Sequence, residues 1–317
     1  MQDDGREHAR RMPETARCGD ESTVGSLRSF CYEAARAMAR TKLTARTADR
    51  HTLYQDCVQN PEFELALLDR LYRRHAGRSP RSLREDFCGT GLLCATWAKS
   101  RRERTAIGLD IDREVLAWGH ERNVAPLGEA QERVSLRAQD VMVPTRERAD
   151  VIVAFNYSYQ TFRDRPTLLR YFRAVHRSLD REGIFVLDLL GGWESQQVLV
   201  EKRRRQGFTY VWEQADYDPV SARFLCHIHF HFPDGSKLRK AFTYDWRLWQ
   251  LVELRELLAE AGFVDVDVLW EGDGDDGTGD GVFRRVTRAR NDPGWNTYLV
   301  AKKRPSAPRR ALARKTP

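Results

Sequence analysis

Short apolar runs alternate with amphipathic helical stretches between residues 82 and 190. Such alternation is typical of a parallel sheet whose strands are joined by helices lying on its two faces. The predicted strands of this region occupy residues 82–87, 105–110, 133–138, 149–155 and 183–190. Together with two later runs, 264–270 and 295–303, they predict an α/β fold built on a doubly wound, mostly parallel, seven-stranded sheet.

The pattern changes between residues 207 and 249. Residues 208–218, 222–232 and 237–249 read as long strands, and the sequence Pro-Asp-Gly at 233–235 is a turn signal between the last two. This predicts an antiparallel β cap inserted into the main fold. Its many aromatic residues are expected on both faces, partly as sheet core and partly as a wall for a substrate.

These patterns divide the chain into six segments. We expect a flexible N-terminal lead (1–26), an N-terminal helical segment (27–80), the core (81–206), the antiparallel cap insert (207–249), the end of the core (250–303) and a basic flexible tail (304–317). Residues 271–281, rich in glycine and acidic residues, are expected to form a solvated loop.

The charge distribution disfavours nucleic acid as a partner. The net charge is +7, but residues 302–317 contain seven basic and no acidic residues, so the rest of the chain is neutral. A neutral body lacks the clustered positive charge that phosphate binding requires. The spacing of the six cysteines includes no CxxC pair. No apolar run is long enough to span a membrane. We therefore expect a cytoplasmic protein.

The end of the first predicted strand carries the sequence Glu-Asp-Phe-Cys-Gly-Thr-Gly at 85–91 and leads directly into a helix. Glycines there let the backbone approach a ligand, and the helix N-terminus offers free N–H groups. Asp110, at the end of the next strand, lies where a carboxylate can accept both hydroxyls of a ribose. A nicotinamide-dependent oxidoreductase is disfavoured, because Leu92 and Leu93 follow where its third glycine is expected.

These motifs resemble those of the class I S-adenosylmethionine-dependent methyltransferases over about residues 50–303, which implies a Rossmann-like fold and S-adenosyl-L-methionine as cofactor. Phe87 stands where many members have glycine. The resemblance implies Glu85 near the amino-acid end of the cofactor, Asp110 at the ribose, Asp140 and the Val141 backbone at the adenine, and Asn156 beside the methyl-transfer site. The full set of cofactor-binding residues implied is Glu85, Cys88, Gly89, Thr90, Gly91, Asp110, Ile111, Asp140, Val141 and Asn156.

The acceptor site is predicted from the strand ends and the cap. Tyr157 and Tyr159 follow the fourth strand, while His229 and Asp245 belong to the cap, and these four are the candidates for contacting the acceptor. Histidines alternate at 227, 229 and 231, so they share one face of a strand; we expect a polar face there and no metal site.

Caps at this place in the family favour a small-molecule acceptor, such as an amine, an amino-sugar or a hydroxyl compound. One alternative is an RNA or protein methyltransferase, although residues 156–159 lack the prolines of the (N/D)PP(Y/F) motif. Another is a nucleic-acid-binding protein that uses its basic tail. The oligomeric state is left open.

Overall fold

The computed structural model describes residues 43–273 and 279–305. The expected lead (1–26), most of the expected tail (304–317) and part of the acidic segment lie outside the described residues.

The described residues form twelve β-strands and six α-helices, numbered here along the chain. The strands are β1 (Ser82–Asp86), β2 (Thr105–Asp110), β3 (Val134–Ala138), β4 (Ala149–Ala154), β5 (Leu179–Gly191), β6 (Leu199–Arg205), β7 (Phe208–Asp218), β8 (Arg223–His231), β9 (Lys237–Arg247), β10 (Asp265–Asp273), β11 (Gly279–Val286) and β12 (Trp295–Lys302). The helices are α1 (Arg50–Val58), α2 (Pro61–Ala76), α3 (Leu92–Ser100), α4 (Arg113–Gly119), α5 (Arg165–Ser178) and α6 (Leu251–Glu260). Helix α4 continues through a π-turn (His120–Val124) into a 3-10 segment (Ala125–Arg133), and shorter 3-10 turns occupy Ser158–Thr161 and Trp193–Gln196.

The main sheet has the strand order β11-β10-β12-β5-β4-β1-β2-β3. Strands β1 to β5 pair in parallel, whereas β12, β10 and β11 are antiparallel to their neighbours. The predicted α/β fold with a doubly wound, mostly parallel sheet is therefore confirmed. The sheet has eight strands rather than the predicted seven, because β11 pairs with β10 at the edge. Sequence patterns missed this strand because the acidic, glycine-rich segment runs into its first residues.

The antiparallel insertion is a separate four-stranded sheet with the order β6-β7-β8-β9. It begins at Leu199, eight residues before the predicted boundary at 207, because β6 pairs along its whole length with β7. The sequence of β6 is dominated by basic residues, and only alternate positions are shielded from solvent. An apolar pattern therefore could not reveal it.

Two N-terminal helices join the two sheets. Helix α2 begins at Pro61, is capped by the Asn60 side chain and ends at Ala76, followed by Gly77 as a C-cap in the left-handed conformation. Its apolar face packs in the core under the main sheet, whereas Leu53 of α1 packs against Phe208 and Phe230 of the second sheet. The helices thus fix the second sheet over the carboxyl ends of the parallel strands. No helix in the described ranges is both long and apolar enough to cross a membrane.

Candidate active site

The connection from β1 to α3 is a tight turn that opens onto free space. Phe87 and Gly89 have φ angles of 58° and 51°, and Gly91 ends the turn as the N-cap of α3. A side chain at Gly89 would meet no atom within 4 Å, so a ligand has room to approach this backbone. Phe87 takes the left-handed conformation that glycine adopts without strain, which accounts physically for the glycine found there in many members of the family. The turn is therefore strained, with an open backbone edge.

Cys88 and Thr90 hold this turn in place and are themselves buried. The Cys88 amide donates to the Leu109 carbonyl at 3.0 Å. The Thr90 hydroxyl accepts a hydrogen bond of 2.7 Å from the Gln55 side chain of α1. The N-terminal helix thus covers the glycine turn, a contact that the sequence did not reveal.

Glu85 lies beneath the turn rather than at its surface. Its carboxylate accepts from the Cys94 amide at 3.3 Å and from the Cys94 thiol at 3.1 Å, within the first turn of α3. Burial raises the pKa of Glu85 to about 7, and these two hydrogen bonds moderate the rise. Asp110 and Asp86 raise it further. A buried carboxylate of this kind favours a positively charged group nearby.

Asp110, at the end of β2, faces the glycine turn. One of its oxygens accepts from the Gly89 amide at 2.8 Å and the other from the Asp112 amide at 3.0 Å. Each carboxylate oxygen keeps a second lone pair, so both can still accept a ligand hydroxyl. The next residue, Ile111, is 78% exposed, and a large apolar side chain left in water beside a strand end offers a surface for a planar ring.

Asp140 and Val141 follow β3 on the same edge of the sheet. The exposed Asp140 side chain accepts from the Met142 amide at 2.8 Å. Val141 is buried, and its carbonyl accepts from the Arg84 guanidinium at 3.1 Å. The carboxylate of Asp140 remains available from the solvent side. The predicted cofactor residues after β1, β2 and β3 thus lie along one edge of the sheet.

A second strained turn follows β4. Asn156 and Tyr157 are consecutive residues with φ angles of 56° and 59°, a conformation that non-glycine residues avoid. Asp188 of β5 stabilises it, because its two oxygens accept from the amides of Asn156 and Tyr157 at 2.8 Å and 2.9 Å. Burial raises the pKa of Asp188 to about 7, although these amides oppose the rise. Strain held this firmly is typical of functional turns.

A cavity of about 430 Å³ opens beside this turn, between the main sheet and the second sheet. Its floor includes Asn156, Tyr157 and Asp188. Alternate residues of β6, β7 and β9 form its roof, and α1 and α2 close one side. Half of the lining residues are aromatic or acidic. A cavity of this size is typical of a small-molecule site.

Of the four predicted acceptor residues, only Tyr157 lines the cavity. Its hydroxyl donates to the Asn296 side chain at 2.7 Å. Tyr159 is fully buried away from the cavity, and its hydroxyl donates to the Asp188 carbonyl at 2.8 Å. Asp245 is exposed and ion-paired with Arg223 and Arg163. Tyr159 and Asp245 therefore lie outside the lining of this cavity.

His229 also lies away from the cavity. Strand residues alternate between faces, and the cavity is lined by Ile228, so the histidines at 227, 229 and 231 point to the opposite side of β8. The His229 ring accepts from the Lys240 amide at 3.1 Å, which leaves its other nitrogen to donate to Glu213 at 2.8 Å. The lone pair of its ring is thus occupied by the Lys240 amide, and His229 lies outside the cavity lining.

Several residues that do line the cavity were not predicted. Asp188 lies within the apolar run of β5, three residues before the strand ends, and no motif marks it. Glu64 belongs to α2, whose pattern indicates only amphipathic packing, and Tyr54 belongs to α1, which shows no clear amphipathic pattern. Only the spatial approach of these elements to the β4 turn reveals them.

Comparison with known proteins identifies the class. Residues 86–187 match the family model described as a methyltransferase domain. A search of curated proteins found no match.

Three similarly folded structures illustrate the likeness. One is an S-adenosylmethionine-dependent methyltransferase from Clostridium acetobutylicum, 16% identical, with 86% of this chain and 98% of that one covered and a TM-score of 0.56. The sugar N-methyltransferase KedS8 from Streptoalloteichus is 17% identical, with coverage of 92% and 100% and a TM-score of 0.53. The amino pentose methyltransferase CalS10 from Micromonospora echinaspora is 15% identical, with coverage of 90% and 100% and a TM-score of 0.53.

Residues 86–187 thus form a methyltransferase domain, and the fold of the chain is that of the solved class I methyltransferases. The chain carries the methyltransferase domain of the S-adenosylmethionine-dependent enzymes, and S-adenosyl-L-methionine is its cofactor. The residues present suit that cofactor, because the open space at Gly89, the free lone pairs of Asp110 and the exposed Ile111 lie along one sheet edge.

Proposed function

We propose that the protein methylates a small-molecule acceptor, an amine, an amino-sugar or a hydroxyl compound, held in the cavity between its two sheets. The observation that carries this proposal is the position of the cavity. It begins at the strained turn after β4, where the family places methyl transfer, and it is roofed by a continuous antiparallel sheet. Its volume of about 430 Å³ suits a small acceptor rather than a polymer.

In this proposal the cofactor lies along the carboxyl edge of β1 to β4. Asp110 accepts from the ribose hydroxyls, and Asp140 with the Val141 backbone holds the adenine beside Ile111. The turn of Cys88, Gly89, Thr90 and Gly91 supports the amino-acid end, with Glu85 beneath it. Asn156 borders the place where cofactor and acceptor meet.

The chain contributes alignment and exclusion of water rather than a nucleophile of its own. When bound, the cofactor supplies an activated methyl group on a sulfonium. Tyr157, fixed by its hydrogen bond to Asn296 and by the Asp188 contacts to the turn, lines the floor against which the acceptor is held. The second sheet and α1 cover part of the cavity and so limit its contact with water, which strengthens the electrostatic interactions inside it. Positioning of this kind supplies a large share of the acceleration in bimolecular transfers.

Two of the similarly folded enzymes are described as a sugar N-methyltransferase and an amino pentose methyltransferase. A similar fold shows the architecture alone and does not identify the acceptor. The shape of the cavity supports the small-molecule class independently.

The test is a methyl-transfer assay with methyl-labelled S-adenosylmethionine and two acceptor pools from a bacterial extract, one below about 1 kDa and one containing RNA and protein. We expect the label in the small pool, and its loss with Asp110→Ala. Label confined to the RNA and protein pool would contradict the proposal.

A further inference from the structure

The cavity lining carries an excess of carboxylates without matching cations. Arg203 is the one basic residue among the described lining residues, and it is paired with Glu201 at 3.3 Å. Asp280 is paired with Arg284. Four further lining carboxylates form no ion pair with any residue that the structure describes, namely Glu64, Asp188, Glu194 and Glu271. S-Adenosylmethionine carries two positive groups and one negative group, so its net charge of plus one cannot pair with all four of these carboxylates.

The roof of the cavity contributes aromatic faces. Tyr244 and Trp246 are stacked with ring centroids 4.4 Å apart, and Trp212 lies 6.4 Å from Trp246 on the neighbouring side. Tyr157 meets Trp246 edge to face at 6.1 Å from the floor. We call these four residues the aromatic wall. Aromatic faces attract cations through their negative π surface, most strongly where water is excluded.

Glu64 is the carboxylate whose environment most requires a cation. It lies in the first turn of α2, is only 9% exposed and lines the cavity. Its carboxylate has no hydrogen bond to any of the described residues, whereas Asp188 accepts from two amides. Burial raises the pKa of Glu64 well above its ordinary value, and Glu85, Asp188 and Glu62 raise it further. A buried carboxylate with no protein partner is costly unless a ligand supplies one.

We propose, on the basis of the function proposed above, that the acceptor is an amine that enters as a cation and is held between the aromatic wall and Glu64. Neutral acceptors carry no positive charge that could pair with the carboxylates and the aromatic wall of the cavity. Among the acceptors considered above, hydroxyl compounds are therefore disfavoured, and an amine or amino-sugar is selected.

The same arrangement provides a route for the proton. A protonated amine has no free lone pair, so one N–H proton must leave before methylation. Glu64 accepts that proton as the N–H bond breaks. The nitrogen lone pair then forms the new N–C bond while the C–S bond of the methyl donor breaks, and the bonding pair stays on sulfur. The methylated product again carries one positive charge, and the proton on Glu64 leaves to solvent.

The experiment measures the binding of matched cationic and neutral probes to the full-length protein in the presence of S-adenosylhomocysteine. The probes are choline with its neutral isostere 3,3-dimethylbutan-1-ol, and benzylamine with benzyl alcohol, followed by calorimetry. We expect at least one cation to bind at least tenfold more tightly than its neutral counterpart. Glu64→Gln and Trp212→Leu should each remove most of that preference, whereas Trp193→Leu, a tryptophan outside the cavity lining, should retain it.

S-Adenosylhomocysteine affinity separates the possible outcomes. Failure of the wild type to bind it would overturn the proposed function itself. Normal binding without a cation preference in either pair would overturn only the amine assignment. A large loss of S-adenosylhomocysteine affinity in Glu64→Gln would show that this carboxylate serves the cofactor ammonium group, and would overturn its role toward the acceptor. Trp212 is only half-buried, so its variant is expected to fold, and retained S-adenosylhomocysteine binding verifies this.

Discussion

Replacement of Asp110 by asparagine is the sharpest test of the proposed cofactor site. The carboxylate accepts from Gly89 at 2.8 Å and from Asp112 at 3.0 Å, and its remaining lone pairs are proposed to accept from the ribose. Asparagine keeps one acceptor oxygen and turns an amide NH₂ toward the other donor. The variant therefore loses at least one charged hydrogen bond, worth about 1.5–3 kcal/mol. That loss corresponds to S-adenosylhomocysteine binding weaker by about 10-fold to 150-fold.

The assay is calorimetry with S-adenosylhomocysteine, together with competition by adenosine and by 2′-deoxyadenosine. The wild type should prefer adenosine, and Asp110→Asn should lose that preference, because the 2′-hydroxyl then has no charged acceptor. Asp112→Asn is the matched control, since asparagine caps α4 as well as aspartate does and Asp112 contacts no proposed ligand group. An unchanged preference for adenosine in Asp110→Asn would refute the ribose assignment.

Three further results are expected. Gly89→Ala should weaken S-adenosylhomocysteine binding at least tenfold, because its Cβ enters the open space beside the turn. The control is Gly77→Ala, at a glycine that is also left-handed and also faces open space, and it should lower only the stability of the fold. Equal affinities of the two variants for S-adenosylhomocysteine, measured by calorimetry, would contradict this expectation. His229→Ala should keep the wild-type methyl-transfer rate and lower the urea midpoint, since the ring binds Glu213 and a backbone amide outside the cavity; a lost rate would place it in the reaction after all. Burial raises the pKa of Glu85 from 4.5 to about 7, so the folded protein keeps a proton that the unfolded chain releases. The stability of the wild type relative to Glu85→Gln, measured by urea denaturation, should therefore fall as the pH rises from about 5 to about 8. A stability difference independent of pH would argue against a raised pKa.

The alternation of apolar runs and helices was sufficient to predict the fold class. Buried parallel strands must be apolar and their helices amphipathic, so β1 to β5 are visible in the sequence within a few residues. The glycine turn and Asp110 were visible for a related reason, since their spacing is a local consequence of a strand, a tight turn and the next strand. Strands β6 and β11 escaped because their residues are charged or glycine-rich and become strands only by pairing with a neighbour.

The sequence by itself determined that the proposed cofactor residues share one edge of the sheet, because parallel strands place their carboxyl ends together. It did not determine the acceptor side. The acceptor side depended on which face of β8 turns toward the cavity. Because the register of a strand fixes the orientation of all its residues together, Ile228 faces the cavity and His229 does not. It depended also on helices α1 and α2 bringing Tyr54 and Glu64, more than 120 residues before Asp188 in the chain, to the same cavity. Contacts between such distant segments arise from packing of the whole fold, and no local pattern encodes them.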